Sequence, residues 1–223
     1  MINFIKTDSP GLGEIDLSRE ISRLLAEDKK VLWIISGGSN IGIEATIMRQ
    51  LDQSKTNNLM IILGDERYGQ KGHKDSNEQQ LEANGFYIGN ATLTPILEEK
   101  PLADTTEDYG HKLSQLFEWA DEVIGQFGIG DDGHTAGVLP GSVGVENKEM
   151  AVSYRAEDFT RVTMTLESIK KLTKAYVFCF GKSKQTAISN LKNRTSDIND
   201  CPSLVFYNIP SVYVYNDLVG DKE

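Results

Sequence analysis

Four short apolar runs recur along this chain: Val31-Leu32-Trp33-Ile34-Ile35, Leu59-Met60-Ile61-Ile62-Leu63, Val123-Ile124-Gly125-Gln126-Phe127 and Ala175-Tyr176-Val177-Phe178-Cys179-Phe180. Runs like these, with little or no polar alternation, suit parallel strands covered on both faces. Each is followed by a polar turn that contains glycine. Between the runs, apolar residues fall at helical spacing, as in Leu17, Ile21, Leu24 and Leu25, in Ile43, Ile47 and Leu51, and in Tyr109, Leu113, Leu116 and Phe117. Strands that alternate with helices imply a parallel sheet with helices on both faces. Further strands are expected within 91–97, at 151–154, 161–165 and 212–215, and further helices over 168–174 and from Ser76-Asn77 through Leu81. Leu139-Pro140-Gly141-Ser142 ends any short helix begun at Thr135. No repeat, low-complexity stretch or linker divides the 223 residues, so a single domain over 1–223 is expected.

The net charge of −10 argues against non-specific nucleic-acid binding and against adsorption to anionic membranes. An anionic ligand would have to be held by individually placed cations against the global field. Two cysteines, Cys179 and Cys201, form no disulfide framework and fit a reducing compartment. The N-terminus lacks the long apolar core of a secretion signal, and no apolar run approaches the ~20 residues of a membrane span. The expected location is the cytoplasm.

In a parallel sheet the turns at 36–40, 64–67, 128–134 and 181–184 lie along one edge, where ligands of α/β proteins bind. They predict a single crevice holding Ser39, Asn40, Arg67, His134 and Lys184. Ser36-Gly37-Gly38-Ser39-Asn40 leads into a helix, whose first N–H groups can cradle a phosphate. A plain turn, with Ser39 or Asn40 as helix cap, explains the same residues. Lys182 and Lys184 open another helix, where cations are mildly unfavourable unless an anion shares the site. His73 and His111 read as solvated surface residues. Gly128-Ile129-Gly130-Asp131-Asp132-Gly133 formally matches a dinucleotide fingerprint, but no helix clearly follows it. No set of His, Cys and carboxylates has metal-ligand spacing.

Taken in order, Ser36-Gly37-Gly38-Ser39, Asp65-Glu66-Arg67 with Ser76-Asn77, Asp132-Gly133-His134-Thr135-Ala136 with Pro140-Gly141, Arg161-Val162-Thr163 and Lys184 resemble the 6-phosphogluconolactonases. That group lies within a larger family that includes glucosamine-6-phosphate deaminase. The resemblance covers residues 30 to 215 and implies a Rossmann-like three-layer α/β/α sandwich with a mainly parallel sheet. It implies hydrolysis of 6-phosphoglucono-1,5-lactone in the oxidative pentose phosphate pathway, without metal or organic cofactor, by a monomer or small homo-oligomer. His134 is then the general base, and Asp132 orients it or a sugar hydroxyl. N–H groups of the glycine-rich turn steady the oxyanion. Gly38, Ser39, Asn40, Arg67 and Lys184 hold the phosphate, with Asp65 and Arg161 completing the substrate site. The chain departs from the family pattern at Asn40-Ile41, where Thr-Pro is usual, at Tyr68-Gly69-Gln70 and at Gly137-Val138-Leu139. The alternatives are the deaminase, which typically reads Asp-Glu-Tyr where Arg67 stands here, and a sugar-phosphate sensor without turnover.

Overall fold

The computed structural model describes residues 1–220. In chain order the elements are β1 (Ile2–Lys6), α1 (Gly11–Ala26), β2 (Val31–Ile35), α2 (Ile41–Gln50), β3 (Leu59–Leu63), β4 (Asp65–Arg67), α3 (Asn77–Ala83), β5 (Thr92–Thr94) and α4 (Leu102–Trp119). They continue with β6 (Glu122–Gly128), α5 (Val143–Glu146), β7 (Ala151–Arg155), β8 (Thr160–Met164), α6 (Leu166–Ile169), β9 (Lys174–Cys179), α7 (Gln185–Asn193) and β10 (Ser211–Asn216).

Seven strands form one parallel sheet in the order β1-β10-β9-β6-β2-β3-β5. Every residue of β2 is buried, as its unbroken apolar sequence requires. From β2 the chain steps outward to β3 and β5, then returns to the other side of β2 for β6, β9 and β10. The boundary between β2 and β6 is therefore the point where strand order reverses. Right-handed crossovers put α1, α2 and α3 on one face of the sheet and α4 and α7 on the other. The packing of α1 on α2 and of α2 on α3 agrees with this.

A second, antiparallel sheet of β4, β8 and β7 sits beside the first, with α4 against β7. Its residues Val162 and Met164 join the same buried cluster as the large sheet. Both cysteines are free and buried, and burial pushes the Cys179 thiol up to about 12. No helix among the described residues is long and apolar enough to cross a membrane.

The structure departs from the sequence reading in four places. Ile2–Lys6 forms an edge strand, paired to β10, that no continuous apolar run announces. Asp65–Arg67 is a strand rather than a turn, because β8 supplies its ladder partners. The helix expected over 168–174 shrinks to α6, because Thr165 caps it early and Lys174 already pairs with Ser211 in the sheet. Thr135 to Ser142 holds turns and an isolated bridge between Thr135 and Val138, and the short helix follows at α5.

Candidate active site

The first wall of the site rises from the carboxyl end of β2. Gly37 passes so close to Asn77 that a Cβ there would lie 2.1 Å from Oδ1, so any side chain would have to displace the Asn77 amide. Gly38 adopts φ +66° with open space around it. A 3-10 turn over Gly38–Asn40 then feeds α2. The leading N–H groups of such a turn have no intrahelical acceptor, and here they border a crevice.

The second wall comes from β4. Glu66 is fully buried, and its carboxylate accepts from the N–H groups of Arg67 (2.7 Å), Asn77 (2.7 Å) and Glu78 (3.0 Å) and from Ser76 Oγ (3.0 Å). Asn77 Nδ2 donates to the Asp65 carbonyl at 3.0 Å. Arg67 donates from Nη1 to the Asp75 carbonyl at 3.0 Å, and its guanidinium lies 5.0 Å from the Phe159 ring centroid. Its Nε is buried without a partner. His73 is half-buried in its loop, with Nε2 2.9 Å from the Arg67 carbonyl.

Arg161, on β8, binds Asp158 at 2.8 Å and stands 3.7 Å from Asp65. Burial pushes the Asp65 carboxyl above its ordinary value, and the charges of Arg161, Arg67 and His134 pull the other way.

The third wall is the turn after β6. Gly130 N–H donates to the His134 carbonyl (2.9 Å), Gly133 N–H to the Gly130 carbonyl (3.0 Å) and His134 N–H to Asp132 Oδ1 (3.1 Å). These three N–H groups are consumed inside the turn and are not available to an oxyanion. What the turn presents instead is an oriented imidazole. His134 Nδ1 lies 2.6 Å from Asp132 Oδ1, and no protein partner meets Nε2 among the described residues. Burial works against charge on Asp132, but the hydrogen bonds from His134 outweigh it and hold the carboxyl below its ordinary value.

Lys184, past β9, reaches back to this turn and pairs with Asp131 at 2.7 Å. Ser183 Oγ donates to the same oxygen at 3.1 Å. The Lys184 bond holds the exposed Asp131 carboxyl below its usual value.

All these walls enclose one crevice of about 520 Å³. It gathers Gly38, Ser39, Asn40, Asp65, Arg67, Asp132, His134, Arg161 and Lys184, while Lys182, paired with Lys184 in the sequence reading, does not line it. Asn77 and Asp131 also line it. The sequence marks Asn77 as a helix start and part of the family motif but not as a site residue, and the pairing of Asp131 with Lys184 joins residues too far apart in sequence to show a pattern. The crevice opens at the carboxyl ends of β2 and β6, the topological switch point where open α/β sheets bind ligands. Among the described residues no group of three or more His, Cys, Asp or Glu side chains is placed to hold a metal ion.

Fold and crevice together define an α/β protein with a donor-rich wall and a histidine–carboxylate pair facing each other across the switch point of a parallel sheet. The chain belongs to the glucosamine-6-phosphate isomerase/6-phosphogluconolactonase family, whose model matches residues 15–211. It is 31% identical over 142 residues to a 6-phosphogluconolactonase of Pseudomonas aeruginosa, an alignment that covers 59% of this chain and 55% of that relative's length. A 6-phosphogluconolactonase of Synechocystis is 25% identical over 84% of this chain and 82% of its own. The crystal structure of a 6-phosphogluconolactonase from Shewanella baltica shares the fold, with a TM-score of 0.80 at 20% identity over 97% of both chains.

Proposed function

We propose that the chain hydrolyses 6-phosphoglucono-1,5-lactone to 6-phosphogluconate, the lactone-opening step of the oxidative pentose phosphate pathway. The observation that carries this reading is the Asp132–His134 pair, set in the same crevice as the Gly38–Asn40 turn, Arg67 and Lys184. With Nδ1 engaged by Asp132, a neutral His134 keeps Nε2 as its acceptor. A water donates its proton there while its oxygen attacks C1 of the lactone. The imidazolium so formed places a positive charge beside the developing oxyanion. The tetrahedral intermediate collapses by breaking the bond from C1 to the ring oxygen, which takes the proton back from Nε2. The product is the open-chain acid.

The N–H groups of Gly38 and Ser39, the Asn40 amide and the cations of Arg67 and Lys184 hold the phosphate. Arg binds phosphate oxygens as a fork and Lys as a point charge. Arg161, already paired with Asp158 and Asp65, steadies Asp65 for a sugar hydroxyl. Anchoring the phosphate far from C1 is a positioning effect.

Lactone formed in place by glucose-6-phosphate dehydrogenase is expected to disappear faster with the protein than by its own opening. His134→Ala is expected to lower kcat by about 10²–10⁴, while Arg67→Ala mainly raises KM. Near-full rate in the histidine variant would remove the base assignment. Ammonia release from glucosamine 6-phosphate would replace the lactonase reading with the deaminase.

A further inference from the structure

Beneath the Gly38–Asn40 wall lies buried polarity that lactone opening does not use. Glu44 stands on α2, one turn beyond Asn40, and is 0% exposed. Its Oε1 accepts the N–H of Ser36, the residue that follows β2, at 2.9 Å. Its Oε2 is buried with no partner. Asn40 is 1% exposed, and its Oδ1 is likewise buried and unpartnered. Residues four apart on a helix are side-by-side neighbours. Asn40 caps α2, so the two orphan oxygens stand one turn apart at its start; both are acceptors and lack a hydrogen. A buried carboxylate without a second donor is costly, and such a group neutralises instead.

We propose that Glu44 is a positioning residue for the phosphate cradle: it is carried as a neutral carboxylic acid whose O–H donates to Asn40 Oδ1 while its other oxygen accepts from Ser36 N–H. The acid clips the start of α2 to the end of β2. It also fixes the Asn40 amide with Nδ2 turned toward Gly128, where a Cβ would lie 2.7 Å from that nitrogen. Glycine at 128 is what leaves room for the amide at the crevice wall. Burial drives the Glu44 carboxyl well above its ordinary value; the Ser36 bond opposes this and the charge of Asp65 adds to it. Asp65 is the ionisable group that acts on Glu44 among the described residues. The competing arrangement is an ionised Glu44 with the amide turned over, so that Nδ2 donates to it. Gln126, buried two residues before Gly128 on the same face of β6, has both amide atoms unpartnered and is the competing acceptor for the proton.

The inference rests on reading Gly38–Asn40 as a phosphate cradle, so it is tested by binding rather than turnover. Inorganic phosphate is titrated into the wild-type chain, Glu44→Gln, Glu44→Leu, Asn40→Ala and the Glu44→Leu/Asn40→Ala double variant. Glu44→Leu is expected to weaken binding about fivefold, the ratio that one ordinary hydrogen bond corresponds to. Glu44→Gln, which keeps an acceptor and a donor, retains it. In the Asn40→Ala background Glu44→Leu adds nothing further.

Thermal melts across pH supply an independent readout. The folded chain holds a proton that the unfolded chain releases near 4.5, so this contribution is complete below that pH and is lost as pH rises toward the raised folded value. Glu44→Gln removes that decline. Weak phosphate binding by Glu44→Gln, or a pH-independent difference between it and wild type, would establish an ionised Glu44 and overturn the proposal. Additive effects of Glu44→Leu and Asn40→Ala would give the proton to Gln126 and overturn the link to the cradle. A wild-type chain that binds no phosphate overturns the cradle and this inference together. Phosphate binding without lactone turnover overturns only the proposed activity.

Discussion

At Gly130 the absence of one methyl group decides where the His134 ring stands. A Cβ there would lie 2.0 Å from Nδ1 and 2.6 Å from Asp132 Oδ1, inside the hydrogen bond that orients the imidazole. The φ of Gly130 is not in the left-handed region, so alanine meets no backbone strain and the substitution tests crowding alone. Gly130→Ala is expected to lower kcat by about 10², the scale of an angstrom's misplacement of a reacting group, with little change in KM. An unchanged kcat would mean that the ring position is not limiting. The residues of this turn were legible because chemistry and backbone demand coincide in one short stretch. The carboxylic partner of Lys184 was not, because Asp131 lies far from it in sequence and is indistinguishable there from its neighbour Asp132. Glu44 was hidden differently. An acidic residue in a helix's first turn reads as a solvated complement to the dipole, and only burial reveals that it faces inward.

At the level of elements, the Glu66 side chain ties β4 to α3, with Asn77 Nδ2 on the Asp65 carbonyl beside it. Glu66 receives the first N–H groups of α3, while Ser76 caps the same helix through Gln79 N–H at 3.2 Å and donates to Glu66. Arg67 and Asn77 both enter the crevice from this knot. Glu66→Ala leaves these buried donors without an acceptor, and a loss of at least about 2 kcal/mol is expected. Denaturant unfolding measures it as a lower midpoint at constant slope. A change below about 0.5 kcal/mol would mean that water takes over the role of the carboxylate. Asp-Glu-Arg announced a strand end in the sequence but not a strand, because β propensity is low for these residues and the pairing comes from β8, far along the chain. α6 erred in the opposite sense, since helical spacing over 168–174 says nothing about where the sheet reclaims the chain.

Across the whole molecule, both sheets share one buried cluster. Unfolding followed by far-ultraviolet and by near-ultraviolet dichroism is therefore expected to give coincident single transitions. Early loss of the small sheet would divide the chain into two cooperative units. The parallel sheet was legible because its central strands are apolar on both faces. Its edge was not, since β1 buries only Phe4 fully and offers no apolar run to detect.

The reversal of strand order has a metric consequence. The turn that carries Gly38 and the turn that carries His134 spring from strands that are direct ladder neighbours, held about 4.8 Å apart by the geometry of the sheet itself. On the reading proposed above, backbone spacing therefore sets how far the turn that cradles the phosphate stands from the turn that carries the imidazole. A lactone whose phosphate lies at another distance from C1 would, on that lactonase reading, meet the imidazole out of register.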